Sequence, residues 1–509
     1  MSEAASLSAE MDGPRRALIT VSVMLASIMQ ALDNTIANVA LPRIQGSLSA
    51  TQDQMAWVLT SYIIAAAIMT PLSGWLAGQI GRKKVFLFSI VGFTIASMLC
   101  GLAQSLPEIV LARLFQGLCG AALIPMSQAV LLDINPPEHH ARAMAIWVMG
   151  VTIGPILGPA LGGWLTENYN WRWVFYINVP FGILAFLGTA SGMHETTIRK
   201  SRFDFFGFVA LSLGIGALQL MLDRGQLKDW FSSPEIWIEG TVSAVSFYLF
   251  VVHMLTTTSA RFVSPALFKD RNFLTGNAFI FVVGMVLFAT LALLPPLLQD
   301  LLNYPVVTTG LVTAPRGIGT LFAMFVVGRI MRKVDLRLVI GAGFALTAFS
   351  SWQMTGFDLQ MGTATIVWSG LAQGVGTGFV YVPLAAATFA TLAPTLRNEG
   401  TAIFSLTRNL GSSIGISVVE TLLTRNTQIV HSTLAEHVNA YNPVVQHQMG
   451  GSPTVAALAG VNAAVTGQAA MIAYNDDFQL MMYLCLAAIP LVLLLRKGGA
   501  APSEPVAIE

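Results

Sequence analysis

Charge is scarce in this chain: Asp, Glu, Lys and Arg make up 10% of its 509 residues, against about 25% in soluble globular domains. The formal net charge is only +1, so no overall field favours nucleic acid or an acidic partner. Cysteine is nearly absent as well. Cys100, Cys119 and Cys485 all fall in apolar stretches, which argues against a disulfide framework or a metal cluster and leaves them as packing residues. No GxxxxGK[ST] run exists, so ATP hydrolysis within the chain is not expected. Gly374, Gly376 and Gly378 sit mid-stretch without a βαβ context, and His139-His140 lacks nearby Cys or a second His pair. These read as packing glycines and a solvated loop, with no metal site and no cofactor.

What the chain has in excess is apolar length. Hydrophobic residues reach 54%, and they cluster in fourteen stretches: 15–41, 53–78, 84–104, 107–132, 141–165, 172–193, 203–222, 236–258, 272–300, 308–331, 337–356, 361–391, 401–424 and 477–496. A helix needs roughly 20 apolar residues to cross a hydrocarbon core of about 30 Å, and its backbone must satisfy its own hydrogen bonds there. The expectation is therefore an all-α polytopic membrane protein. Arg15-Arg16 before the first stretch superficially matches a signal peptide, but the run from Ala17 to Leu41 has no cleavage site and reads as a retained span. With the N-terminus inside, nineteen basic residues fall in inner connectors and five in outer ones, with Arg113, Arg316 and Arg408 within spans, which accounts for all 27. That asymmetry satisfies the positive-inside rule and places both termini in the cytoplasm. The stretch from Thr454 to Ala473 is apolar enough to suggest another crossing, but that would put Arg496 and Lys497 outside. It is assigned to a long external segment with amphipathic helix.

An internal repeat organises these spans. Gln116-Gly117 with Pro125 recurs as Gln373-Gly374 with Pro383, Gly154 and Gly158 recur as Gly411 and Gly415, and Gly74 before Arg82-Lys83-Lys84 has a looser counterpart in Gly328 before Arg332-Lys333 and Arg337. The offsets are 257, 257 and about 254 residues. The layout is six spans, two additional spans, then six: residues 1–200, then 201–260, then 261–424 with 477–496, leaving 425–476 outside and 497–509 as a cytoplasmic tail. Two equivalent halves about a central cavity suit alternating access.

Ionisable residues inside the spans are expensive and functional by default. Asp33 lies about 24 Å along the first helix from Ala17, past the bilayer centre; it reads as a proton site, the alternative being a packing carboxylate bonded to Asn34 or Asn38. Arg113, with Gln116 one turn later, reads as its relay partner or as part of a static polar knot. Arg316 beside Pro315 is a candidate cavity contact, Arg408 is placed to snorkel, and Glu420 is a candidate second titrating group near the outer surface. Gly150, Gly154, Gly158-Pro159 and Gly162-Gly163 put small residues on one face with a kink, on spacing alone equally a packing stripe or a functional one.

The same residues resemble the fourteen-span drug:proton antiporters of the major facilitator superfamily, and the EmrB-like exporters within it, over essentially the whole chain. Leu32 to Pro42 is similar to that family's first-span motif, whose acid, here Asp33, is implicated in coupling. Gly74 to Lys84, including Gly81 and Arg82, is similar to the superfamily's gating motif, departing at Gly78 where the wider superfamily has Asp. Arg113 to Gly117 resembles the proton-transfer motif, and Gly154 to Gly163 the antiporter motif, which favours export. Trp171 to Pro180 is family-like, and Leu222 to Gly225 with Asp229 to Ser233, including Asp223, Arg224 and Trp230, resembles the EmrB branch. The resemblance implies the major facilitator fold with two pseudo-symmetric six-helix bundles, a bacterial inner membrane, and proton-driven export of amphipathic drugs or toxic hydrophobic compounds to a periplasmic adaptor and outer-membrane channel. Asp33, Arg113 and Glu420 would couple protons, while Asn34, Asn38, Trp57, Tyr62, Gln116, Arg316, Gln373, Phe379 and Arg408 would line the cavity. An exporter of one metabolite, such as a fatty acid or siderophore, would carry the same motifs; a non-transporting sensor or scaffold is the alternative of another class.

Overall fold

A computed structural model describes residues 13–495 except 51, 137–138, 196–197, 199–201, 258–260, 332, 394–395 and 439–454. The described residues form helices and connecting turns, with no strand among them. The tail 497–509 lies outside the described residues, as do Arg199, Lys200, Arg332, Arg496 and Lys497.

The first group of helices is α1 (Gly13–Leu48), α2 (Gln52–Ile80), α3 (Arg82–Leu102), α4 (Leu106–Gly120), α5 (Leu123–Ile134), α6 (His140–Asn168), α7 (Trp173–Tyr176) and α8 (Asn178–Gly192). Next come α9 (Phe205–Arg224) and α10 (Pro234–Thr256), which pair with each other. The last group is α11 (Pro265–Lys269), α12 (Arg271–Pro296) with a π-helical end at Leu297–Leu301, α13 (Val306–Ile330), α14 (Leu336–Met354), α15 (Thr363–Phe389), α16 (Arg397–Ala435) and α17 (Val455–Leu491). Local chemistry sets several of these starts. Asp204, Asp270 and Asp335 accept from the backbone N–H of Gly207, Phe273 and Arg337, capping α9, α12 and α14. The turn between α2 and α3 is made by Gly81 at φ 96°, a conformation costly for any other residue.

Ten of these helical segments are long and apolar enough to cross a membrane by length and composition. Fourteen apolar stretches were expected, and α6, α14, α15 and α16 are not among the ten. Many side chains of α6 lie outside the described ones, whereas on α14, α15 and α16 Gly, Ser, Thr, Asn and Arg lower the hydropathy without removing those helices from the bundle. The 425–476 segment also differs from expectation at both ends: α16 continues unbroken to Ala435, and α17 begins at Val455, so 455–473 is one helix with the last apolar stretch. Alanine-rich sequence has no reason to break a helix at the edge of an apolar window.

The two groups repeat one packing pattern. The pairs α1–α6, α2–α4, α3–α4 and α1–α8 have counterparts in α12–α16, α13–α15, α14–α15 and α12–α17. Glycines permit the closest approaches. A Cβ on Gly154 would lie 2.7 Å from the Leu32 nitrogen and 2.8 Å from the Ala31 carbonyl carbon, and one on Gly158 would strike Thr35. Gly411 and Gly415 abut Phe281 and Met285 of α12 in the same manner. Between the groups, α6 meets α13 and α15, while α16 meets α2 and α5.

Gly154→Ala should therefore lower stability by about 1–3 kcal/mol through overpacking against backbone, even though alanine is the better helix former by about 1 kcal/mol. Thermal unfolding in detergent checks this; an unchanged or higher Tm would mean that α1 and α6 do not pack so closely.

Candidate functional site

Asp33 of α1 is completely buried, and so, at 1% exposure, is Arg113 of α4. The Arg113 Nη1 donates to Asp33 Oδ2 at 2.6 Å and to Gln116 Oε1 at 2.8 Å, and its Nε donates to the Val58 carbonyl of α2 at 3.1 Å. Gln116 Nε2 donates to Asp33 Oδ1 at 2.8 Å, and Asn178 Nδ2 of α8 donates to the same oxygen at 2.9 Å. Asn178 also donates to Ser97 Oγ of α3 at 2.8 Å, and Ser97 donates to the Phe175 carbonyl at 2.8 Å. The guanidinium carbon lies 4.4 Å from the ring centroid of Tyr62, itself buried. Three helices thus meet at one carboxylate, and a fourth, α2, holds its arginine partner. Arg113 and Gln116 reach it together because residues three apart share a helix face. Neutralising Asp33 would release Arg113 from its counter-charge, so one proton at this point changes the bonding of several helices.

The other expected site residues lie elsewhere. Asn34 is exposed, and neither it nor Asn38, whose side chain is outside the described ones, is among the hydrogen-bond partners described for Asp33. Trp57 is 40% exposed, and Phe379 is half-buried against the core of the second helix group. Arg316 Nη2 donates to the Leu287 carbonyl at 3.2 Å, while its Nη1 is buried without a partner among the described residues. Arg408 does not snorkel to the surface: it is buried, with Nη1 donating to the Tyr381 hydroxyl at 3.1 Å and Nη2 to Asn409 Oδ1 at 3.2 Å. Gln373 Nε2 donates to Thr290 Oγ1 at 3.0 Å. Glu420 is exposed on α16. Gly162 is buried and Gly163 half-buried on α6, where the Pro159 side chain lies outside the described ones.

At the end of the molecule carrying Gly81, an acid bridges the two helix groups. Asp133 of α5 pairs through Oδ2 with Arg82 and accepts from Arg397 Nη1 of α16 on Oδ1 at 2.9 Å. Gly78 has no side chain to offer Arg82, and Asp133 pairs with that arginine from another helix. Gly74 completes the contact, since a Cβ there would lie 3.3 Å from both the Asn398 carbonyl oxygen and the Glu399 Cα. Glu399 accepts from the Ser264 backbone N–H, and burial pushes its carboxyl up to about 7.

At the opposite end, the α9–α10 hairpin spans the same seam. Asp223 accepts from Thr60 Oγ1 of α2 at 3.0 Å and from Gln219 at 2.8 Å, and Arg224 lies 5.6 Å from the Trp57 ring centroid while pairing with Glu235 and Glu239. Trp230 Nε1 donates to Thr421 Oγ1 of α16 at 3.0 Å, and Ser417 Oγ donates to the Leu222 carbonyl at 3.1 Å. Asp223, Arg224 and Trp230, expected in an external loop for an adaptor, are thus engaged with this chain's own α2, α10 and α16.

Sequence reasoning missed Asn178, Ser97, Asp133 and Arg397 as site residues. Asn178 had one visible signal, an amide within the apolar run that ends at Gly192.

A fold of packed helices around a buried ion pair, with two similar helix groups, defines a membrane transporter class, and the comparisons with known proteins agree. The Major Facilitator Superfamily model matches residues 23–416. The chain belongs to this superfamily and, within it, to the EmrB-like multidrug efflux transporters: it is 36% identical to the multidrug export protein EmrB of Escherichia coli K12 over 95% of this chain and 96% of that one. It is similarly 37% identical to the fatty acid resistance protein FarB of Neisseria gonorrhoeae, covering 95% and 97%. The solved human organic anion transporter MFSD10 (TETRAN) shares the fold at a TM-score of 0.59 and 13% identity, covering 93% of this chain and all of that one. The protein is therefore a multi-pass membrane transporter and not an enzyme.

Two outcomes follow. Asn178→Leu removes a hydrogen bond to a charged group, so thermal unfolding should register a loss of about 1.5–3 kcal/mol; no loss would mean that Asn178 does not bond Asp33. Glu399, raised above its ordinary value by burial, is seated against the Ser264 backbone at lower cost in its protonated form, so that contact holds below the ordinary carboxylate range and loosens as pH climbs through about 7. Spin-label distances between α11 and α16 at pH 6 and 8 should report this, and Glu399→Gln should abolish the pH response.

Proposed function

We propose that this protein is a proton-coupled antiporter that exports amphipathic drugs or toxic hydrophobic compounds across a bacterial inner membrane by alternating access. The carrying observation is the Asp33–Arg113 pair, a charged couple at zero to 1% exposure whose partners come from α1, α2, α4 and α8. A buried ion pair is weak as a stabiliser, because desolvation offsets much of the Coulombic gain, which makes it a poor choice for architecture alone. It is a good choice for a switch. A proton arriving on Asp33 discharges the carboxylate and leaves Arg113 held only by Gln116 and the Val58 carbonyl, which biases how α4 sits against α1 and α2. Removal of that proton restores the pair.

The proposed frame is a major facilitator fold of fourteen spans in a 6 + 2 + 6 layout, two six-helix bundles with both termini cytoplasmic, and 425–476 on the periplasmic side. The repeated helix pairings and the 257-residue offset support it. The Arg82–Asp133–Arg397 bridge would then be the cytoplasmic latch, closed in this conformation, with Gly74 and Gly81 permitting its approach. Cargo would contact Asn34, Asn38, Trp57, Tyr62, Gln116, Arg316, Gln373, Phe379 and Arg408, with flexing at Gly154, Gly158, Pro159, Gly162 and Gly163 and Glu420 as a further titrating group. A large apolar cavity with few polar anchors gives broad selectivity. The energy source is the proton gradient, with no cofactor. By likeness to the multidrug exporters, a periplasmic adaptor and an outer-membrane channel would receive the cargo, meeting the exposed Leu227 and Phe231 of the hairpin. Similarity to a fatty acid resistance protein supports a second reading, a dedicated exporter of one amphipathic acid.

Asp33→Asn should abolish proton-driven efflux in inverted vesicles while leaving ligand binding within a few-fold. Undiminished coupled efflux by that variant would defeat the role assigned to Asp33.

A further inference from the structure

The last helix carries an acid that the scheme above leaves unused. The 257-residue offset takes Asp33 to Thr290, Gln116 to Gln373 and Arg113 to Gly370. The contacts repeat with the residues. Gln373 Nε2 donates to Thr290 Oγ1 at 3.0 Å as Gln116 Nε2 donates to Asp33, and Met481 of α17 approaches Thr290 at 3.4 Å where Asn178 of α8 approaches Asp33. In the second helix group the carboxylate has thus become a hydroxyl and the arginine a glycine. That node retains its geometry and has lost its titratable group.

Asp477 stands one helical turn from Met481 on the same face of α17. It is completely buried, and both its carboxylate oxygens lack a hydrogen-bond partner among the described residues. The packing around it is apolar: Phe478 is buried against Phe357, with ring centroids 5.7 Å apart. The charged and titratable groups nearby offer no compensation. Its own helix contributes Tyr474 and Asp476, and the π-helical end of α12 contributes Asp300. From α16 comes Asn426, which donates to Asp476 at 3.4 Å, while Arg425 is exposed. From α14 the charged residue is Arg337, at the far end of that helix, and the 355–362 turn carries Asp358. No ion pair reaches Asp477 among the described residues.

An ionised carboxylate buried without hydrogen bonds, beside other acids, costs far more than the same group carrying its proton. The contrast with Asp33 is sharp, because Arg113, Gln116 and Asn178 are all arranged as donors to that carboxylate. We propose that Asp477 is a second proton-carrying group: it holds a proton in the conformation described here, with the Arg82–Asp133–Arg397 bridge closed, and gives it up to water when α17 shifts against α14 and α16. This rests on the transport reading. It adds one proton per cycle to the one handled at Asp33, each borne on a different helix group.

Two measurements test it. Purified wild-type protein treated with dicyclohexylcarbodiimide, which reacts with protonated carboxyls in apolar surroundings, should be modified at Asp477 at pH 6 and progressively spared at higher pH, with the site mapped by mass spectrometry. In proteoliposomes, the reversal potential for a transported dye should give a proton-to-substrate ratio lower by one in Asp477→Asn and unchanged in Asp477→Glu. No modification at Asp477, or modification indifferent to pH, overturns the proposal, and so does an unaltered ratio in the Asn variant. If that variant does not fold, the labelling of wild-type protein decides. Wild-type protein that shows no proton-driven flux at all would instead sink the transport reading, while the labelling result would still stand on its own.

Discussion

The hydrocarbon interior of a membrane supplies no hydrogen-bond partners, so each polar group carried into it must find one within the protein. Asp33 and Arg113 meet that demand jointly, and much of the first helix group is arranged to let them. The Val58 carbonyl, Gln116, Asn178, Ser97 and the Phe175 carbonyl form one continuous chain of donors and acceptors around the pair. Removing either charge strands the other at a cost of about 3–5 kcal/mol. On the proposed reading, the helices that carry these groups are tied to the protonation of a single carboxylate, and a local chemical event would have a mechanical consequence.

Close packing is what makes that consequence propagate. Gly154 and Gly158 bring α6 against the backbone of α1, the helix bearing Asp33, so a rotation of α1 cannot be absorbed by a loose interface. The same α6 meets α13 and α15 of the other group. Glycines at four-residue spacing are thus both a packing stripe and a route between helix groups. On the proposed transport reading, the function of that stripe would rest on its packing.

Much of this was legible from residues alone, for a physical reason. Span-forming sequence announces itself through hydropathy, and an acid or arginine within it stands out against its surroundings. Asp33, Arg113 and Gln116 were visible in that way, and the structure brings the three together in one set of hydrogen bonds. Asp133 and Arg397 were not visible, since a charge beside a connector reads as solvated and nothing local links residues 264 positions apart. Asn178 was obscured because an amide carries no charge to betray it. Asp477 sat at the edge of an apolar window, where an acid is ordinarily an interfacial residue; only the continuity of α17 from Val455 to Leu491 moves it inside. α14, α15 and α16 are less apolar than the other long helices for the converse reason: side chains turned toward other helices need not be apolar.

The two helix groups resemble each other in backbone packing and differ in chemistry, and this asymmetry has its own logic. A perfectly repeated Asp–Arg pair would give two switches with the same preferred state, each opposing any motion that relieved one at the expense of the other. Replacing Asp33 and Arg113 by Thr290 and Gly370 leaves the second group's node neutral and therefore free to follow. The space beside Gly370 and Gly374 is taken by Arg316 of α13, which abuts both glycines through its backbone and Cβ. Its guanidinium reaches α12 at the Leu287 carbonyl rather than an acid. Besides Arg408, the second group thus keeps a buried cation and a buried acid, Arg316 and Asp477, which form no ion pair with each other among the described residues. A pair that is already joined responds to a proton; a cation and an acid held apart can each respond to something else. Division of labour between the halves follows from that separation.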